Sequence, residues 1–447
     1  MKNPHTASAH LQKLFARAAT ADYIGEPVTQ EQHALQAAAL ATRSGDEELI
    51  LAALCHDVGH LCFPDAPAMA NVGILEHELL GSDYLRALGF SKRVAGLVAG
   101  HVAAKRYLVA TQPGYGSKLS AASQTTLDYQ GGPMSKQEVI EFEQHPDFKA
   151  MLQLRAWDEQ AKEPSLPTPV PEFEAYVPMI EQHVAKQQLS ASDVQAFQEQ
   201  GFLHLKNYFA VDSVARIRQQ VAQLEALPET PGKWMQYFEP GPGSERLLCR
   251  IENFLQYHEP FNALLNGPWL CGLVGQLMGE EAILFKEKIN FKLPGASGFA
   301  AHQDAPAFTS FQQNYHITLM LSFDASTVAN GCLEVVPGNW GQDYLPMAED
   351  KTLSEETRAR LNWQPLETEP GDMVLFGSFL PHRSGPNLTN KPRRALYATY
   401  NALAEGSVRD AYYAEKRRVF PPEIEREAGV DYNDAGVFNV GNPVARG

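Results

Sequence analysis

Apolar residues recur at helical spacing along the first third of the chain. In EQHALQAAALATR and SKRVAGLVAGHVAAKRYLV they return every three or four positions, and strand-like alternation is almost absent from about residue 8 to 160. This pattern predicts an all-α first domain. A proline-rich stretch over residues 163–173 interrupts it, and EAYVPMIEQHVAKQQ is predicted to form a last helix that packs back on the same domain.

The period of the pattern changes beyond Leu189. LSASDVQAFQEQGFLHL predicts a helix with Ser190 or Ser192 as its N-cap. Five later segments are short, rich in β-branched and aromatic residues, and predict strands: AILFKEKINFKL, HITLMLSFD, CLEVVP, DMVLFGSF and RALYATYNAL. They are typical of a jelly-roll, or double-stranded β-helix, with flanking helices. We therefore expect a multidomain α and β protein with domains at 1–188 and 189–447, which its length of 447 residues also favours.

Composition narrows the classes of function. No segment approaches the roughly 20 apolar residues of a membrane span, and the start, MKNPHTASAHLQKLF, lacks the apolar run of a secretory signal, so we expect a cytoplasmic protein with no membrane partner. The formal net charge of −16 argues against a nucleic-acid partner. An anionic small substrate would need a local cluster of donors. Five scattered cysteines without a CxxC pair indicate neither a disulfide framework nor a thiolate zinc site.

A first set of metal-ligand residues surrounds the dipeptide His56-Asp57. The dipeptide ends an apolar helix whose expected N-cap is Ser44, so both side chains can turn toward one point. Three more histidines lie on apolar helical faces: His33, His77 and His101. One such histidine is equally well explained as a core residue, but four helices that carry inward histidines around an HD pair favour a metal site. Imidazole and carboxylate ligands suit Fe, Mn or Zn.

A second set lies in the predicted jelly-roll. His302 and Asp304 are two positions apart, so on a strand they would point the same way, and His382 supplies a third ligand. Two histidines and one carboxylate leave open positions on an octahedral iron for a bidentate co-substrate and O2.

Basic residues in this domain leave two interpretations open. Arg393 and Arg394 are neighbours on a predicted strand, so only one of them should face the interior. Three lysines, Lys286, Lys288 and Lys292, alternate along another strand. They could form an anion-binding face, and a solvated edge of the sheet would explain them equally well.

The first set resembles the HD superfamily, whose pattern corresponds to His33, His56, Asp57 and Asp158. The resemblance implies that His77 and His101 carry a second metal bridged by Asp57. Through YIGEPVTQEQHALQ, HDVGH, HVAAKRYL and LDYQGGPM, residues 20–160 look more narrowly like the mixed-valent diiron HD oxygenases that cleave the carbon–phosphorus bond of 1-hydroxylated aminoethylphosphonates. An Fe(II)/Fe(III) pair is then expected.

The same resemblance implies a substrate site. Its phosphonate-binding residues would be His60, Lys105, Ser123, Thr126 and Gln130, while Tyr23 and Glu26 would form a catalytic lid near the first iron and the substrate amine. Lys105 is four residues after His101, and the other three fall at i, i+3 and i+7, so each set can share one helical face. Without the resemblance, a solvated helix face would explain these polar residues.

Most of residues 190–447 resembles the phytanoyl-CoA-hydroxylase-type Fe(II)/2-oxoglutarate dioxygenases, through KINFKLPGASGFAA, HQD and LFGSFLPHRSGPN. In that family an arginine eleven residues past the distal histidine anchors 2-oxoglutarate, which corresponds to Arg393. The resemblance implies one mononuclear Fe(II), with 2-oxoglutarate and O2 as co-substrates.

Together the two resemblances imply a tandem phosphonate oxygenase. The C-terminal domain would hydroxylate 2-aminoethylphosphonate at C1, and the N-terminal domain would oxidise the product to glycine and phosphate. Glu26 favours a primary amine, because a carboxylate accepts hydrogen bonds from ammonium N–H groups. Two alternatives are a metal phosphohydrolase fused to a hydroxylase of another small molecule, and a phosphonate-binding sensor domain.

Overall fold

The chain folds into two units, Met1–Gln188 and Leu189–Gly447. Within them, the computed structural model describes residues 6–19, 26–62, 67–69, 73–163, 169–209, 211–243, 245–308, 311–430, 432, 438 and 440–444. In this described part of the chain, no helix combines the length and the apolar character needed to cross a bilayer.

The first unit is helical, as predicted. Its described residues form ten α-helices: α1 Ala7–Ala18, α2 Gln30–Ala41, α3 Glu47–Cys55, α4 Gly59–Cys62, α5 His77–Ala87, α6 Lys92–Thr111, α7 Ala121–Tyr129, α8 Lys136–Glu143, α9 Phe148–Gln160 and α10 Val177–Ala185. α10 packs against α1, which confirms the predicted return of the last helix to its own domain. An isolated β-bridge in this unit joins Ala68 and Ile74.

Helix α3 is the centre of the helical core. It packs against α2, α6 and α9, and every residue from Leu49 to Cys55 is buried. The N-cap prediction was wrong: Asp46 caps α3, with its side chain accepting from the N–H groups of Glu48 and Leu49. Ser44 lies just outside the helix and accepts from the N–H of Asp46. α3 therefore ends at Cys55 in the middle of the bundle, where His56 and Asp57 follow.

The second unit contains two antiparallel sheets, which confirms the predicted jelly-roll. The strands are β1 Phe202–Leu205, β2 Met235–Pro240, β3 Arg246–Glu252, β4 Ala282–Lys292, β5 Phe299–His302, β6 His316–Ser322, β7 Leu333–Val335, β8 Gln364–Leu366, β9 Met373–Gly377, β10 His382–Ser384 and β11 Arg393–Ala402. One sheet has the order β1-β9-β6-β11-β4-β3-β2 and the other β5-β10-β7-β8. The five predicted strands are β4, β6, β7, β9 and β11.

Helices flank these sheets. They are α11 Ala191–Gln200, α12 Val211–Glu225, α13 Glu259–Leu265, α14 Pro268–Met278, α15 Glu355–Arg360 and α16 Arg409–Val419. Ser190, one of the two predicted N-caps, begins α11 in a capping box with Asp193. α14 packs on β4 and β11, while β6, β7, β9 and β11 share one apolar cluster. Because the central strands are covered on both faces, all seven residues of β6 are buried.

Gly59, at the start of α4, permits a close approach that brings the HD dipeptide next to α5. A Cβ at this position would lie 1.9 Å from the backbone oxygen of His77 and 2.9 Å from the nitrogen of Gly81. Since the obstacle is backbone, no side-chain rotation can relieve the overlap.

We expect Gly59→Ala to destabilise the helical unit by at least about 1–3 kcal/mol, the usual range for overpacking. Gly96→Ala is the matched control: its Cβ would meet no atom within 4 Å in the middle of α6, so it should stabilise the helix by roughly 0.5–1 kcal/mol. Thermal unfolding followed by circular dichroism measures both. Equal unfolding temperatures for the two variants would contradict the packing argument.

Candidate metal centres and their cavities

The first candidate centre consists of two histidine pairs on either side of Asp57. The Nε2 atoms of His33 and His56 are 3.0 Å apart, and those of His77 and His101 are 3.1 Å apart. Asp57 Oδ2 lies 3.5 Å from both nitrogens of the first pair. Its Oδ1 lies 3.4 Å and 3.6 Å from those of the second pair. Donors about 2.1 Å from one ion are about 3.0–3.5 Å apart at tetrahedral or octahedral angles, so this spacing suits two ions bridged by Asp57.

Hydrogen bonds determine which ring nitrogen carries the proton. His33 Nδ1 is 3.0 Å from the oxygen of Ala161, His56 Nδ1 is 2.9 Å from that of Ala53, and His101 Nδ1 is 2.7 Å from that of Val98. A carbonyl oxygen only accepts, so each Nδ1 donates and each Nε2 presents a lone pair to its neighbour. Facing lone pairs repel each other, and a cation between them turns this repulsion into attraction.

Two carboxylates complete the first centre. Asp158 Oδ1 lies 3.5 Å from Nε2 of His33. Burial opposes the ionisation of Asp158, but the Arg155 guanidinium beside it holds the pKa of its carboxyl well below the usual range. Among the described residues, Asp158 Oδ1 and Asp57 Oδ2 are buried oxygens that accept no hydrogen bond. Charged oxygens without donors and nitrogen lone pairs that converge are a donor set that fits a pair of metal ions.

The second candidate centre lies between two strands of the smaller sheet. His302 and His382 are directly opposed in the register of β5 and β10, and their ring centroids are 4.3 Å apart. Each Nδ1 is held by a carbonyl two residues earlier, that of Ala300 at 2.7 Å and that of Leu380 at 2.9 Å. The Nε2 atoms are thus free to act as ligands for an ion.

Asp304 joins these histidines from a turn. β5 ends at His302, and Asp304 has helical backbone angles, so the predicted strand alternation is wrong for this residue. Its Oδ1 is nevertheless 3.7 Å from His302 Nε2. The three side chains have ligand atoms within 4.8 Å of one another, as one metal ion requires.

The five residues predicted to bind a phosphonate line one cavity together with Asp57, His77 and His101; they are His60, Lys105, Ser123, Thr126 and Gln130. The Nζ of Lys105 donates to Thr126 Oγ1 at 3.0 Å. Burial, reinforced by the Arg155 guanidinium, lowers the pKa of Lys105 to about 7.

His60 lines the same cavity, and its ring is stacked on that of His77 at a centroid distance of 3.9 Å. The backbone N–H of Ile74 donates to His60 Nδ1. Burial also keeps the pKa of His60 well below its usual range. The neutral ring therefore carries its proton on Nε2, as a donor.

Two cationic residues of this cavity were missed by the sequence analysis. Arg155 donates to Asp158 at 2.5 Å, and Lys162 Nζ lies 3.2 Å from Ser123 Oγ and 3.3 Å from Glu26 Oε1. Arg155 is three residues before Asp158 and Lys162 is four residues after it. This spacing places them near Asp158 along the helix direction, and it is the sequence feature that could have indicated them. Glu26 lies in the cavity wall, and Tyr23 is outside the described residues.

Arg393 and Arg394 take opposite directions from β11. Arg393 is buried, donates from Nε to Ser326 Oγ at 2.9 Å, and lines a cavity with His302, Asp304 and His382. Arg394 binds Asp324 instead. Arg393 is therefore the arginine on the cavity side of the strand.

The lysines of β4 are not on a solvated edge. β4 lies between β11 and β3, and Lys286 and Lys288 line the same cavity as the second metal centre. Lys292 is buried and donates to Ser384 Oγ at 2.7 Å. The edge interpretation is therefore wrong for all three.

Comparison with known proteins identifies both halves of the chain. The family model for phytanoyl-CoA dioxygenase (PhyH) matches residues 197–395, and that for the HD domain matches residues 31–127. The chain is 49% identical over 250 residues to 2-aminoethylphosphonate dioxygenase from uncultured bacterium HF130_AEPn_1, with 56% of this chain and 95% of that protein covered. The chain belongs to the phytanoyl-CoA dioxygenase family and also carries an HD domain.

Two further relatives differ in the reaction that they are named for. Methylphosphonate hydroxylase of Gimesia maris is 41% identical over 232 residues, which cover 52% of this chain and 88% of that protein. The 1-hydroxy-2-(trimethylamino)ethylphosphonate dioxygenase (glycine-betaine-forming) of Leisingera caerulea is 40% identical over 177 residues, or 39% of this chain and 88% of that protein.

These matches make the chain a non-haem iron oxygenase. The donor sets are consistent with an iron oxygenase, because imidazole and carboxylate groups suit iron. The dioxygenase domain has the two-histidine, one-carboxylate set that leaves positions for 2-oxoglutarate and O2. The HD domain has donors for two ions.

We predict about three irons per chain in the purified protein, two in the HD domain and one in the dioxygenase domain. Asp57→Ala should lower the content toward one because it removes the bridge, and Asp304→Ala should lower it to about two. His204→Ala is the control, since His204 pairs with Asp372 and belongs to neither candidate ligand cluster. Elemental analysis of the four proteins measures this, and zinc alone without iron-dependent activity would overturn the assignment.

Proposed function

We propose that this chain carries out two consecutive oxygenations of one phosphonate. The dioxygenase domain hydroxylates 2-aminoethylphosphonate at C1, converting 2-oxoglutarate and O2 to succinate and CO2. The HD domain then oxidises the 1-hydroxy product with a second O2, which breaks the carbon–phosphorus bond and gives glycine and phosphate. The observation that carries the proposal is the presence of two separate ligand sets, each of which faces a cavity lined by cationic side chains.

The names of the relatives support the order of the reactions. One relative is named for oxygenation of 2-aminoethylphosphonate and another for a 1-hydroxylated, trimethylated form of such a compound. A hydroxylase that acts first would supply the substrate of a dioxygenase that acts second. Joining both in one chain ensures that they are made in equal amounts.

In the HD domain, the polar and cationic side chains of the cavity suit a phosphonate group. Lys105 and Lys162 provide positive charge, Ser123 and Thr126 provide hydroxyl groups, and His60 provides an Nε2–H donor. A phosphonate dianion has three oxygens that accept strong charge-assisted hydrogen bonds from such donors. Held there, the substrate would extend C1 and its hydroxyl toward Asp57 and the metal-ligand side. Asp57, His77 and the neighbouring histidines would hold iron there, and the iron would supply O2 activation.

Glu26 is proposed to receive the substrate amine. Its carboxylate pairs with Lys162 on one side, and a carboxylate has about four acceptor sites, so a primary ammonium can donate to it as well. Glu26 and Lys162 would then hold opposite ends of a small zwitterion.

Because each domain is proposed to catalyse one of the two reactions, a variant of either metal centre should lose one reaction and keep the other. Asp304→Ala should fail on 2-aminoethylphosphonate but still release phosphate from the supplied 1-hydroxy compound, since it removes a ligand of the dioxygenase domain alone. His56→Ala should accumulate the 1-hydroxy compound, matched by succinate. Phosphorus NMR distinguishes substrate, intermediate and phosphate in one tube.

Two outcomes would contradict the tandem assignment. One is phosphate release from 2-aminoethylphosphonate by the His56 variant, and the other is loss of activity on the intermediate in the Asp304 variant. Anaerobic controls separate oxygenation from hydrolysis, because a phosphohydrolase would release phosphate without O2.

For the amine, we expect Glu26→Gln to lower kcat/KM for the 1-hydroxy primary amine by about 1–3 kcal/mol of transition-state stabilisation, with iron content unchanged. The trimethylated analogue, which has no N–H donor, should lose less. Glu31→Gln, on α2 outside the cavity lining, is the matched control. Unchanged steady-state kinetics in the Glu26 variant would refute the amine contact.

A further inference from the structure

Two lysines of the dioxygenase domain have ammonium groups without an anionic partner. Lys286 and Lys288 line the cavity of the metal centre, and within the described residues neither makes an ion pair or hydrogen bond. Each rests against aromatic rings instead: Lys286 Nζ is 4.4 Å from the ring centre of Phe308, and Lys288 Nζ is 5.3 Å from that of Tyr397. Ring contacts offset part of the desolvation of an ammonium, but they leave its charge unneutralised.

These ammonium groups lie on the metal side of the cavity. Phe308, which Lys286 covers, ends the short turn that starts at Asp304. Asp304, which lines the same cavity, is also the carboxylate that most favours the protonated form of Lys288 and raises its pKa against the effect of burial. An anion bound between the two lysines would therefore lie next to the metal ligands.

Neighbouring charges add to the excess of positive charge. Lys416 Nζ contacts both oxygens of Glu252 at 2.6 Å and 2.7 Å, and Arg250 Nε lies 2.6 Å from the same carboxylate. One carboxylate is thus shared by two cations, and within the described part of the chain it forms no ion pair with Lys286 or Lys288. The lining of the cavity contains two carboxylates, Glu252 and Asp304, and six cationic side chains: Arg250, Lys286, Lys288, Arg383, Arg393 and Lys416.

The lysines are distinct from the group expected to anchor 2-oxoglutarate. In the β4–β11 register, Arg393 pairs with Lys292, whereas Tyr397 pairs with Lys288 and Thr399 with Lys286. At about 3.3 Å per residue, Lys288 and Lys286 lie about 13 Å and 20 Å along the sheet from Arg393. The backbone positions of the two lysines are therefore separate from that of the group expected to anchor 2-oxoglutarate.

We infer that Lys286 and Lys288 form the receptor for the phosphonate group of the substrate in the dioxygenase domain. This assignment rests on the proposed function only for the identity of the anion. A dianion held by two ammonium groups gains two charge-assisted contacts and replaces the counter-charge that the protein does not provide. Because the lysines lie on the metal side, the carbon bonded to phosphorus is presented to the metal centre, which accounts for hydroxylation at C1.

The test compares the double variant Lys286→Met/Lys288→Met with Arg393→Gln. We expect the double variant to raise the KM for 2-aminoethylphosphonate about tenfold to a hundredfold, with the KM for 2-oxoglutarate changed less than about threefold. Arg393→Gln should do the reverse. Lys286→Arg/Lys288→Arg should recover much of the loss, because the charge is kept. Circular dichroism and iron content verify that each variant is folded and loaded.

Binding of inorganic phosphate gives a readout that does not depend on turnover. By titration calorimetry, the intact protein should bind phosphate in both domains, and the Met double variant should lose the contribution of the dioxygenase domain. If phosphate binding depends on the lysines but no phosphonate is turned over, the anion site stands and the proposed function fails. If phosphate binding and the KM for the phosphonate are unchanged, or only the KM for 2-oxoglutarate rises, the receptor assignment is overturned.

Discussion

Repulsion between converging ligand atoms is the constraint on which the catalytic halves of this protein depend. In both domains, backbone carbonyls hold Nδ1–H groups and thereby direct Nε2 lone pairs at one another. Asp57 and Asp158 add buried negative charge to the HD domain. The surrounding core must hold these groups together against their mutual repulsion. A bound cation is attracted to all of them, so the net interaction becomes favourable. Metal binding is therefore coupled to the stability of each domain.

The two domains collect their ligands in different ways. The HD centre draws its ligands from α2, the end of α3, α5, α6 and α9, so the packing of the whole bundle determines the ligand distances. In the dioxygenase domain, the register of β5 against β10 places His302 opposite His382, and a turn adds Asp304. The first centre is thus sensitive to the positions of helices, as at Gly59. The second is sensitive to strand register and to one turn.

Local charge in the cavities opposes the charge of the chain as a whole. The formal net charge is −16, yet lysines line both cavities together with the candidate metal ligands. Burial lowers the pKa of Lys105 to about 7 and that of Lys286 to about 8, because a desolvated ammonium is costly. A dianionic ligand provides the missing counter-charge and favours the protonated form of each lysine. The same ligand chemistry thus suits both cavities, although the two folds are unrelated.

Periodicity in the sequence indicated the fold class and five of the strands, and short motifs together with the family resemblances indicated nine candidate metal ligands that the structure brings together in two clusters. Such features are local, because spacing along a helix or strand dictates which side chains share a face. Spacing does not specify which face of an element lines a cavity or which distant residues meet, and the tertiary structure decided both. Period-two alternation places Lys286 and Lys288 on one face of β4, but only the order of strands in the sheet decides that this face lines a cavity. Likewise, alternation separates Arg393 from Arg394 without specifying which faces inward, and only packing assembles Lys162, Ser123 and Glu26, which are far apart in the chain.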